Sequence, residues 1–102
     1  MYYTYVIRSR KDGRLYTGFT SDLRKRFKEH QRGRVRSTKG RGPFELIYYE
    51  ACMNELDAIA RERYLKSGMG KRYIRNRLKH FLSHTTNLQD KSLTGSKDLM
   101  ED

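Results

Sequence analysis

Residues 2–20 read YYTYVIRSRKDGRLYTGFT, and this stretch decides the fold. Tyr2 to Ser9 is rich in Tyr, Thr, Val and Ile, with apolar residues in both alternating sets, the pattern of a strand covered on both faces and so of a central strand. Asp12-Gly13 is a hairpin signal, and Arg14 to Thr20 supplies the return strand. Loop length then decides which side chains meet. A two-residue Asp12-Gly13 turn would set Tyr5 opposite Thr20 and leave Tyr5 and Tyr16 roughly 13 Å apart along the strands. A four-residue loop from Arg10 to Gly13 sets Tyr5 opposite Gly18 and Tyr16 opposite Ile7, a diagonal pair about 7–8 Å apart at Cα on one face. The second register is preferred, because both phenols then reach one site and Gly18 leaves space beside the Tyr5 ring.

Helix propensity takes over from Asp22 to Gly33, with Thr20 and Ser21 as cap candidates and Gly33 as a stop. Residues 32–43, rich in Gly, Arg and Lys and ending in Pro43, read as a basic loop, and Phe44 to Ala51 as a third strand. Asn54 caps a second helix running to about Ser67, where Gly68 and Gly70 end it. A third, basic helix spans Lys71 to Leu82, its Ile74, Leu78 and Phe81 recurring at helical spacing as an inner face. The order ββαβαα predicts a small α+β domain over residues 1–82, with helices packed on a three-stranded antiparallel sheet. Residues 83–102 hold few large apolar side chains and read as a disordered acidic tail.

Composition points to a partner. Lysine and arginine outnumber aspartate and glutamate by 23 to 12 in the 102-residue chain, a balance that favours a polyanion. Two lysines against four carboxylates leave residues 83–102 at −2, so residues 1–82 hold +13. The lone Cys52 excludes an internal disulfide framework and reads as a buried apolar residue, and His30, His80 and His84 form no cluster at zinc spacing. Neither a signal peptide nor an apolar run of transmembrane length is expected, which makes a cytoplasmic location the default and a membrane partner unexpected.

Three elements bring chemistry-bearing groups. The strands supply Tyr5 and Tyr16. On the first helix Leu23, Arg26, Phe27 and His30 fall at i, i+3, i+4 and i+7, so a guanidinium suited to phosphate and an imidazole share the stripe facing the sheet. On the second, Glu62 lies among Ala58, Ile59 and Leu65, where a carboxylate is costly unless a cation compensates it. Arg61 and Arg63 point elsewhere on the helix, which leaves Arg26 or a bound metal as the partner. Magnesium, which often takes one or two carboxylates and completes its shell with water and phosphate, suits a single acidic ligand.

With Tyr3-Thr4-Tyr5, Tyr16-Thr17-Gly18, Thr20, Asp22-Leu23, Arg26, Glu29-His30, Gly33, Pro43, Glu50 and the Ala58 to Glu62 spacing in order, the segment Tyr2 to Lys66 resembles a GIY-YIG nuclease domain. It is most similar to small stand-alone members related to the endonuclease subunit of bacterial excision repair. The resemblance implies an endonuclease that hydrolyses DNA phosphodiester bonds with one divalent ion, Mg2+ or Mn2+, acting in repair or recombination. It also implies that Tyr5 and Tyr16 position or activate the attacking water and hold the phosphate. Arg26 would stabilise the developing charge, His30 would assist proton transfer and Glu62 would bind the metal. Two positions depart. The excision-repair relatives carry Lys after the second motif's glycine where this chain has Phe19, so that role is missing or passes to Lys39 or Arg41. The family's helical asparagine has only Asn76 as a counterpart.

A tyrosinate base at neutral pH would need the phenol pKa lowered by about 3 units, roughly 4 kcal/mol; otherwise the phenol only donates a hydrogen bond and the metal ion activates the water. The alternative to an enzyme is a catalytically silent nucleic-acid-binding module. A lone domain, which lacks the recognition domain many family enzymes carry, speaks for that alternative and leaves room for a protein partner. The intact set of five site residues speaks for the enzyme. Arg32, Arg34, Arg36, Lys39 and Arg41 of the loop and Lys71, Arg72, Arg75, Arg77 and Lys79 of the last helix are expected to contact phosphates. Neutralising about five to seven phosphates implies a log K versus log salt slope of about −4.5 to −6 on duplex DNA.

Overall fold

The computed structural model describes residues 1–83; the expectation of an acidic disordered tail therefore falls almost wholly outside the described residues. Residues 1–63 and the described residues from Tyr64 to Ser83 fall in two compact units, and each is taken by itself.

The strands are β1 (Tyr2–Ser9), β2 (Leu15–Thr20) and β3 (Phe44–Cys52). They form an antiparallel sheet in the order β2-β1-β3. The central position expected for β1 holds, and Thr4 to Ser9 are all buried. Tyr5 pairs with Gly18 and Ile7 with Tyr16, the register set by the four-residue loop. That loop is closed by Ser9 N donating to Arg14 O at 2.9 Å and Gly13 N donating to Ser9 O at 2.9 Å. The buried Ser9 hydroxyl steadies it, donating to Arg41 O (2.6 Å) and accepting from Lys11 N (3.0 Å) and Asp12 N (3.3 Å). Between β1 and β3 the register shifts by one residue after Val6, a bulge that sets Leu46 opposite Ile7.

Helix α1 spans Leu23–Gln31. Its cap is Asp22, whose carboxylate accepts from Lys25 N at 3.1 Å, rather than Thr20 or Ser21. Thr20 instead forms the turn before it, accepting from Asp22 N at 3.1 Å. At the other end Gly33 N donates to His30 O and Arg34 N to Glu29 O, the paired bonds of a Schellman stop at the expected glycine. A short 3-10 turn, Arg36–Thr38, lies within the basic loop. The Gln31 amide then grips the start of β3, accepting from Phe44 N (2.7 Å) and donating to Phe44 O (3.0 Å). The core on this face of the sheet is Tyr5, Ile7 and Phe44, with Tyr16, Leu23, Phe27 and Leu46 against them.

Helix α2 spans Glu55–Lys66, with Asn54 accepting from Leu56 N at 2.8 Å as the expected cap. Its first half is tied to the sheet by Thr4 Oγ1 donating to Ala58 O at 2.9 Å and by an Arg61–Glu50 ion pair at 2.9 Å.

In the second unit, helix α3 spans Gly68–Arg77, three residues earlier than the glycines suggested. Ser67 both closes α2, donating to Tyr64 O, and caps α3, accepting from Gly70 N. Gly70 is no mere terminator: a Cβ there would overlap the backbone of Tyr64 and Leu65. Ile74 and Leu82 are buried, whereas Phe81 is 40% exposed; the break at Leu78 rotates the following turn and brings Leu82 inward in its place. Cys52 is half-buried rather than a core residue.

Candidate active site

The residues that gather around Tyr5 do so because α1 is pinned by Leu23 and Phe27 in the core, which turns the stripe carrying Arg26 and His30 toward the sheet. Tyr5 is 2% exposed and its Oη lies 2.7 Å from His30 Nε2. The other imidazole nitrogen, Nδ1, lies 2.8 Å from Thr38 Oγ1. His30 and Thr38 are themselves buried. Gly18 is what admits the phenol, since a Cβ at that position would overlap Tyr5 Oη and Cζ.

Two tautomers of neutral His30 fit these contacts. With the proton on Nδ1, the ring donates to Thr38 Oγ1 and Tyr5 Oη donates to Nε2; with it on Nε2, the ring donates to Tyr5 Oη and Thr38 Oγ1 donates to Nδ1. The first is the one that lets Tyr5 pass its proton to His30. The protonation states agree with a neutral ring. Burial, with the Arg26 charge adding to it and Glu29 opposing, holds the His30 pKa at about 4, so the ring is neutral near pH 7. Burial also pushes the Tyr5 phenol above its ordinary value; the hydrogen bond and charge of Arg26 work against this, and the charges of Glu62 and Glu29 with it. Tyr5 is a neutral phenol in the protein alone.

Tyr16 stands edge-on to Phe44 at 6.0 Å between ring centroids. Its hydroxyl is the one buried side-chain polar atom without a hydrogen-bond partner among the described residues. Such an atom costs about 1–3 kcal/mol if left unsatisfied, so it suits an oxygen brought by a ligand.

Glu62 is half-buried on α2, near enough for its charge to act on Tyr5. Arg26 forms an ion pair with Glu29, at 3.0 Å, and Glu62 has partners within the protein as well. Among the described residues no group of three His, Cys, Asp or Glu side chains converges on a metal position. A single carboxylate such as Glu62 is the kind of ligand a hard, largely hydrated ion can share with substrate oxygens.

Of the expected phosphate contacts, Arg32, Arg34, Arg36, Lys39 and Arg41 are exposed in the first unit. Lys71, Arg72, Arg77 and Lys79 are exposed in the second, with Arg75 half-buried. Phe19, in place of the relatives' lysine, stacks on Tyr2 at 6.3 Å. Sequence reading missed Thr38, a single threonine in a loop without periodicity, and the Glu29 partner of Arg26, whose i,i+3 spacing did signal it. No helix among the described residues is long and apolar enough to cross a membrane.

Residues 1–79 match the family model described as the GIY-YIG catalytic domain. A UPF0213 protein of Clostridium perfringens is 45% identical over 67 residues, covering 65% of this chain and 71% of that protein. A UPF0213 protein of Oceanobacillus iheyensis is 39% identical over 66 residues, 64% and 76% of the two chains, and one of Haloquadratum walsbyi 36% identical over 67 residues, 65% and 74%. No solved structure gives a significant match. The family match spans both the tyrosine hairpin and the helix that carries Glu62, and the chain belongs to the GIY-YIG catalytic domain family, a nuclease family.

Proposed function

We propose that this protein is a divalent-metal-dependent endonuclease that hydrolyses DNA phosphodiester bonds. The observation that carries the reading is the relay Tyr5 Oη to His30 Nε2, with His30 Nδ1 on Thr38 and Arg26 at the phenol. A phenol raised above 10 would cost more than about 4 kcal/mol to ionise at pH 7. The relay replaces that cost with the protonation of His30, whose pKa is about 4 in the protein alone. A water beside the phosphate passes a proton to Tyr5 Oη as the Tyr5 proton passes to His30 Nε2. The water oxygen bonds to phosphorus while the bond to the leaving nucleoside oxygen breaks, that oxygen departing with the bonding pair and taking a proton from solvent, and Tyr5 ends neutral with His30 an imidazolium. The negative phosphate beside His30 favours the protonated ring relative to the protein alone. Arg26 stabilises charge on the phosphoryl oxygens, and Tyr16 donates to one of them. Glu62 would hold Mg2+ or Mn2+, which when bound polarises the phosphate.

The test is Glu62→Gln, assayed on flap, branched, nicked and single-stranded DNA with Mg2+ or with EDTA. Cleavage should vanish while melting temperature holds and affinity stays equal or rises, because a negative charge facing the phosphate is removed. A variant that unfolds, or that cleaves at the wild-type rate, rejects the role.

A further inference from the structure

We propose that Tyr3 and Tyr49 form a stacking platform for an unpaired nucleobase next to the scissile phosphate. The proposal rests on the nucleic-acid reading above and names the part of the substrate that this face receives. Tyr3 lies two residues before Tyr5 on β1, hence on the same face and about 6.8 Å along the strand. Tyr49 pairs directly with Tyr5 across β1 and β3, so it shares that face. The two rings meet edge to face at 6.2 Å and 63°. Tyr49 is 55% exposed, while Tyr5 beside it is 2% exposed. The face thus passes, within one cross-strand pair, from the buried proton relay to an aromatic ring open to solvent on an edge strand.

Continuity and charge together name the occupant. The ring is one residue pair from the phenol that meets the phosphate, and the chain carries a net charge of +11, which selects a polyanion. A polyanion whose next group along the chain has a π-face is a nucleic acid. Bases stacked inside a duplex have no free face to offer, so the platform takes a nucleotide from a single strand, a frayed end or a branch. Stacking of this kind tolerates any base.

The experiment compares full-length wild type, Tyr49→Ala and Tyr49→Phe by fluorescence anisotropy. The probes are a labelled twelve-nucleotide oligo-dT strand and the same strand paired with oligo-dA, at one salt concentration. Tyr49→Ala should weaken single-strand binding at least about fivefold and duplex binding less than about twofold, and Tyr49→Phe, which keeps the ring, should bind like wild type. Equal losses on both probes, no loss on the single strand, or a Tyr49→Phe defect as large as that of Tyr49→Ala each overturns the platform. A wild type that binds the duplex, yet gives one of those results, overturns the platform alone. A wild type that binds neither probe overturns the nucleic-acid reading and the platform with it.

Discussion

Thr38→Val is the sharpest probe of the proton relay, because it keeps the shape of a buried side chain and removes one oxygen. Thr38 is 1% exposed, and its Oγ1, 2.8 Å from His30 Nδ1, accepts the Nδ1 proton in the tautomer that the proposed relay needs. Without it the imidazole has two choices. It can keep Nδ1–H and bury an unpaired donor, at about 1–3 kcal/mol. Or it can move the proton to Nε2 and aim a donor at Tyr5 Oη, which then loses His30 as the acceptor of its own proton. Either way Tyr5 loses part of its base. The expected result is a kcat lower by about 5- to 160-fold, the same 1–3 kcal/mol expressed as a barrier, with KM unchanged because no phosphate contact is touched. Melting should fall by roughly 4–8 °C for each kcal/mol lost. Single-turnover cleavage gives the rate, and 15N chemical shifts of His30 report the tautomer whether or not a substrate is at hand. Thr38→Ser restores the oxygen and should restore both. A Thr38→Val enzyme with the wild-type rate and the wild-type Nδ1–H tautomer would refute the relay.

Two further outcomes follow from the same site. Gly18→Ala should destabilise the fold by about 1–3 kcal/mol and reduce cleavage, because the new methyl overlaps Tyr5 Oη and Cζ and the ring must leave His30; the stability penalty should shrink in a Tyr5→Ala background, and thermal melts of the four proteins in that cycle check it. His30, neutral when folded with a pKa of about 4 against about 6.5 unfolded, makes the unfolded chain bind more protons between those values. Stability should therefore fall as pH drops from 6.5 toward 4, by up to about 3 kcal/mol, and denaturant titrations of His30→Gln should show a flatter acid limb.

The hairpin was legible in the sequence because its two readings differ in kind. One register brings the tyrosines together and the other separates them, and Gly18 offers room only in the first. The stripe on α1 was legible for a similar reason, since Leu23 and Phe27 bury the helix and leave Arg26 and His30 no other direction. What escaped was set by contacts rather than by pattern. Asp22 displaced Thr20 as the cap because Thr20 was engaged in the turn before it. Phe81 gave way to Leu82 because α3 breaks at Leu78, and periodicity carried across a break names the wrong face. Thr38 could not be read at all: its function depends on a loop folding back over a helix eight residues earlier, and no local preference encodes that return.

The return has a consequence for how binding and chemistry are joined. Thr38 is the last residue of the 3-10 turn that begins at Arg36, and Lys39 follows it. The side chains offered to phosphate and the hydroxyl that orients His30 thus sit on adjacent residues of one short turn. His30 in turn holds the phenol, and Ser9, at the end of the strand bearing that phenol, is tied to Arg41 of the same loop. A loop drawn toward a phosphate backbone pulls on both ends of this circuit, whereas a loop free of ligand has only buried hydrogen bonds to keep Thr38 under the ring. Under the proposed function, substitutions of basic residues in this segment are therefore expected to change the cleavage rate as well as the affinity, because the same backbone positions both; alanine variants of Arg36 and Lys39 assayed for both check it.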